Sequence, residues 1–64
     1  MSYQLHIINV ANAYRRLADV IDAPITTKRH IQRLAACAAC AAEQDHTETA
    51  VENIDQIEEI IEYL

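Results

Sequence analysis

The chain has 64 residues and a net charge of −5, with no glycine, phenylalanine or tryptophan and a single proline. A chain this short makes one domain, residues 1–64, and as a folded monomer it buries only about 60% of the surface its unfolded form exposes, so a partner subunit is the expected supplement to a thin core. The lack of glycine excludes hairpin-rich β architecture, whose tight turns need positive φ, and no segment has the layout of a signal peptide or the length of a membrane span, which leaves an all-α cytoplasmic protein whose cysteines stay reduced.

The first helix is expected over about residues 3–22. Its apolar stripe runs Tyr3, Ile7, Val10, Tyr14, Leu17 and Ile21, steps of four and three that suit helices packed at shallow angles. Ala11 and Ala18 widen the stripe on one flank, Ala13 and Val20 on the other. Leu5 and Ile8 fall outside it. Pro24 ends the helix, because the residue before a proline is pushed out of the α region.

Thr26 or Thr27 is placed to cap the second helix through a side-chain oxygen, and that helix is expected over about 27–43. It contains the run Leu34–Ala42, which has neither charge nor β-branched residue. Alanine is the strongest helix former, and a helix apolar on every side is usually buried on every side. The run therefore reads as the central post of a small helical assembly. Gln44 to Thr47 breaks the pattern, and the pairs Asp45/Glu48 and Thr49/Glu52 both have capping-box spacing. The third helix, about 47–63, carries a seam of Ala50, Ile54, Ile57, Ile61 and Leu64, supported by Val51 and Ile60.

Charge is segregated along the chain. Every Lys and Arg (Arg15, Arg16, Lys28, Arg29, Arg33) precedes position 34, and eight acidic residues follow from Glu43 onward. Basic residues at the start of the second helix and acidic ones at the end of the third both oppose the helix dipole. An antiparallel hairpin of these two helices removes the conflict by setting Arg33 opposite Glu58 and Arg29 opposite Glu62. The same register sets Leu34 near Ile57, Ala38 near Ile54, and Ala41 near Ala50 and Val51. Charge and apolar pairing thus agree on one register. Because the Ala/Cys run has no polar side, the second helix is expected to meet another chain as well, which makes the assembly a homodimeric bundle.

Cys37-x-x-Cys40, with His30 two turns before it and His46 after it, is the pattern closest to a metal or redox motif. Zinc needs about four ligands in a tetrahedral array, and a redox pair needs a helix N-terminus to stabilise its thiolate. This pair sits in mid-helix. The cysteines therefore read as small buried hydrophobes, and no metal, cofactor or catalytic residue is assigned. A phosphate-cradling glycine loop and a Ser/His/Asp set are both missing, so neither an enzyme nor a small-molecule substrate is expected.

Two surfaces remain as carriers of function. Glu48, Glu52, Asp55, Glu59 and Glu62 lie clear of the third helix's seam, a one-sign field suited to a basic protein partner or other macromolecule. The stretch from Leu17 to Ile31 resembles the helix-turn-helix of bacterial and phage regulators, with Leu17, Ala18, Ile21, Ala23 and Ile31 at that family's apolar or small positions. The resemblance implies DNA binding through Thr26, Thr27, Lys28, Arg29 and Arg33, whose helix would enter the major groove. Asp22 stands where the family's turn prefers glycine, and Lys28 where it keeps an apolar residue. In style, a small, acidic, glycine-free helical chain is similar to the accessory proteins of phages and mobile elements. The leading expectation is a regulatory or inhibitory protein that binds a protein through its acidic helix. The alternatives are a DNA-binding regulator and a structural dimerisation module.

Overall fold

A computed structural model describes residues 2–64. Among them are three α-helices and no strand: α1 (Tyr3–Val20), α2 (Ile25–Glu43) and α3 (Thr47–Glu62). The protein is all-α. It measures 33 × 17 × 16 Å. Both α1 and α3 pack along α2 and touch each other only sparingly, so α2 is the central post that its alanines imply.

The ends of the helices follow backbone chemistry more than the expected side-chain caps. Ser2 caps α1, its Oγ accepting from the Leu5 N–H at 3.3 Å. That helix stops at Val20, two residues before the expected end, because Ile21 is already extended. α2 starts at Ile25, earlier than expected. The Pro24 carbonyl accepts from the Lys28 N–H at 3.0 Å, and no side chain caps the helix. Thr26 and Thr27 therefore lie inside the first turn and not at the cap.

At the other end of α2, the His46 N–H reaches the Ala41 carbonyl at 2.8 Å and the Asp45 N–H the Ala42 carbonyl at 3.1 Å. These two bonds form a Schellman motif, which needs a left-handed residue where glycine usually stands. Asp45 takes that role with φ 62°, since aspartate tolerates the region better than most residues. This replaces the expected Asp45/Glu48 capping box: α3 begins after His46 with no side-chain cap, and Thr49/Glu52 falls within the helix.

The core is small. Among the described residues, the buried apolar side chains are Ile7, Ile31, Ile54, Ile57 and six alanines. One cluster joins Ile7 and Ala11 of α1 to Ala38 and Ala42 of α2 and to Ala50 and Ile54 of α3, with Ala41 and Val51 against it. A second joins Ala18, Ile31, Ala35 and Ile57, with Leu34, Ile60 and Ile61 alongside. Tyr14 packs against both.

α1 is turned relative to its expected stripe. Ala11 and Ala18 are fully buried, whereas Leu17 is 40% and Tyr3 61% exposed. The facing surface of α2 consists of alanines, and two helices approach most closely where small side chains meet. Ile8 packs on the first cluster, and Leu5 is exposed. The expectation that the Ala/Cys run is buried all round also fails. Ala35, Ala38 and Ala42 are buried, but Ala36, Cys37 and Cys40 are exposed, because two neighbours cover only one side of a helix. On α3, Ala50, Ile54 and Ile57 are buried as the seam requires, while Leu64 lies beyond the helix and is exposed.

Candidate functional site

The acidic strip of α3 follows from its two-sided sequence. Because Ala50, Ile54 and Ile57 must face inward, residues 48, 52, 55, 59 and 62 share the opposite side. All five carboxylates are exposed. Successive members stand three or four residues apart, neighbours on a helix surface, and the row extends over roughly 21 Å at 1.5 Å per residue. Like charges at this spacing cost a few tenths of a kcal/mol per pair, about what an opposite pair would contribute. Glu48 lies in the first turn, where the dipole favours it, and the last turn holds no basic residue to offset Glu59 and Glu62. The strip is therefore held by the apolar face beneath it and not by its own electrostatics.

Glu58 belongs to a different surface. Its Oε1 accepts a hydrogen bond of 3.2 Å from the Tyr14 hydroxyl, joining α3 to α1. Burial first, then this hydrogen bond and the negative charge of Glu58, hold the Tyr14 phenol above its ordinary pKa. The expected ion pairs Arg33–Glu58 and Arg29–Glu62 do not close among the described residues. Exposed pairs of long side chains gain little against water and lost rotamer freedom, and a phenol already at α1 offers Glu58 a shorter reach. Sequence spacing within one helix pair could not reveal a partner on the third helix.

The basic residues occupy the other side of the molecule. Arg33 lines an open groove between α1 and α2 together with Arg15, Arg16, Asp19 and Gln32. Gln32 Nε2 donates to Asp19 Oδ1 at 2.7 Å, which ties the two walls together. Thr26, Arg29 and Arg33 share one exposed face of α2, whereas Thr27 and Lys28 are half-buried on its flanks. Of the five residues expected at a nucleic-acid surface, the fold thus brings three together and sets two aside. It adds Arg15 and Arg16 of α1, which line the same groove as Arg33. Their membership depends on how α1 is turned, and no spacing motif announces it.

The cysteines are thiols on the surface, and Gln44 Nε2 approaches Cys40 Sγ at 3.6 Å. Among the described residues, no three His, Cys, Asp or Glu side chains converge to hold a metal ion. No described helix is long and apolar enough to cross a membrane. Compared with known proteins, the chain matches no family, no curated protein and no solved structure.

Proposed function

We propose that the chain is a small non-enzymatic regulatory or inhibitory protein that works by binding a basic protein through the carboxylate strip of α3. The single observation behind this reading is that Glu48, Glu52, Asp55, Glu59 and Glu62 are all exposed on one face, with no side-chain partner among the described residues. A one-sign row of this length raises the encounter rate with a basic surface and gives binding a steep salt dependence. Its spacing also suits the mimicry of nucleic-acid phosphates. The reading has the protein act in the cytoplasm as a homodimer, with α2 and α3 as an antiparallel hairpin. The short 44–46 connection supports the hairpin, as does the sharing of clusters between Leu34 and Ile57 and between Ala38 and Ile54.

The test is affinity capture from the native host with two baits, the wild-type chain and one carrying Glu48→Gln, Glu52→Gln, Asp55→Asn, Glu59→Gln and Glu62→Gln. The reading expects a basic protein that is held by the first bait, released by salt and absent from the second. A partner retained equally by both baits overturns it.

A second reading, DNA binding, draws on the groove. Arg33 lies beside Arg15 and Arg16 instead of against a glutamate, which leaves three guanidinium groups free for phosphate. In fluorescence anisotropy with a duplex probe, Arg29→Ala/Arg33→Ala should then weaken binding and lower its salt slope by about two, while thermal stability holds.

A further inference from the structure

Among the described residues, the fold leaves more large apolar side chains exposed than it buries completely. Four isoleucines are buried, whereas Tyr3, Leu5, Leu17, Val20, Ile25, Tyr63 and Leu64 are exposed. On α1 the exposure is ordered. Tyr3, His6, Val10, Ala13, Leu17 and Val20 succeed one another at steps of three and four, the repeat of a helix–helix seam. All are exposed except Val10, which is half-buried, and the row contains no carboxylate, ammonium or guanidinium group. At its start the rings of Tyr3 and His6 stack with centroids 6.3 Å apart. Among the described residues, only Val10 of this row packs against the chain's own core, and the other five side chains are exposed. The alanine side of α1 meets α2, and Tyr14 reaches α3 from the edge of the row.

We infer that a second copy of the chain covers this face, with the two α1 helices running parallel about a two-fold axis along the seam. The inference rests on the homodimer reading above and adds to it the surface and the orientation. The charges on the two rims of the row support both. Arg16 borders it on one side. Glu58 borders it on the other, where the Tyr14 hydroxyl donates to it. Arg16 is two residues past Tyr14, about 3 Å along the axis, so the opposite charges stand at similar height.

A two-fold axis parallel to the helices exchanges the rims, bringing Arg16 of each copy onto Glu58 of the other, twice. An axis across the helices instead sets Arg16 towards Arg16 and Glu58 towards Glu58. Charge complementarity therefore selects the parallel pair, and like charges penalise the antiparallel one. In the parallel pair each seam position meets its own copy, so the interface is isologous and closes at two chains. The strip of α3 carries the charge that would repel a second chain, and the α1 face carries none of it.

Sedimentation equilibrium of the full chain at micromolar concentration should give twice the 7.2 kDa chain mass. Leu17→Lys/Val20→Lys alters two exposed side chains, and lysine suits the last turn of a helix, so circular dichroism should keep its helical signal. The dimer dissociation constant should rise by about 100-fold or more. Arg16→Glu should weaken the dimer about fivefold, and Arg16→Glu/Glu58→Arg should restore it. In a Cys37→Ser/Cys40→Ser background, oxidation should link His6→Cys chains to one another, and likewise Val20→Cys chains, since only a parallel seam joins both positions to themselves.

A wild-type monomer at every concentration overturns the dimer and the inference together. A wild-type dimer untouched by the lysine pair overturns the face alone and leaves the dimer reading standing. Failure of either cysteine variant to link overturns the parallel arrangement. If the lysine variant loses its helical signal, the two cysteine variants decide the outcome.

Discussion

α1 and α3 are both amphipathic helices packed on α2, yet they divide their side chains differently. α3 buries Ala50, Ile54 and Ile57 and turns its carboxylates to water. α1 buries Ile7, Ala11 and Ala18 and leaves Tyr3, Leu17 and Val20 outside. The difference lies in how much of each helix is apolar. Charges occupy one side of α3, so only one orientation keeps them hydrated. α1 has two adjoining apolar rows, one through Ile7, Ala11, Tyr14 and Ala18 and one through Tyr3, Val10, Leu17 and Val20. The alanine surface of α2 selects the row with the smaller side chains, because that row lets the backbones come closest. Hydrophobic period therefore specifies a helix, and the size of the facing side chains specifies which row goes inside.

Six substitutions probe that packing. In a urea titration below the dimer's dissociation constant, Ile57→Ala should cost about 2–5 kcal/mol, since it empties a fully buried site; Leu17→Ala should cost well under half as much there. Ala11→Leu should cost about 1–3 kcal/mol by forcing α1 away from α2, a penalty that Ala13→Leu on the exposed row should not incur. Tyr14→Phe should remove about 0.5–1 kcal/mol, the net value of one hydrogen bond between the helices. The folded phenol holds its proton more tightly than the unfolded one. Its contribution is thus intact below about pH 10 and is lost as pH rises above that. Denaturation midpoints taken from pH 8 to 11 should fall more steeply for the wild type than for Tyr14→Phe. Asp45→Gly should raise stability by about 0.5–1 kcal/mol, since glycine adopts positive φ without strain.

Much of this architecture is legible in the sequence. Three helices, the seam of α3 and the exposed carboxylate strip all follow from spacing, since each depends on one helix considered alone. What spacing could not supply depends on two or three helices at once. Ala11 and Ala18 outrank Leu17 as core residues only because α2 is lined with alanine. Glu58 finds Tyr14 only because α1 lies beside α3. Cys37 and Cys40 are exposed because no third neighbour reaches that side of α2. The turn after α2 illustrates the same limit on a smaller scale. Asp45 in a capping box and Asp45 in a Schellman motif are equally compatible with the local sequence, and the backbone bonds to Ala41 and Ala42 select the second.

α1 presents to the outside an apolar row that its own chain leaves exposed at every position but Val10. Methyl NMR across a dilution series tests it most directly, with the signals of Leu17 and Val20 on one side and those of Ile31 and Ile57 on the other. As dilution dissociates the dimer, Leu17 and Val20 should shift while Ile31 and Ile57, fully buried, stay fixed. Shifts confined to Ile31 and Ile57, or Leu17 and Val20 signals that stay fixed while sedimentation shows the dimer dissociating, would contradict it, as would a chain that is monomeric throughout the series.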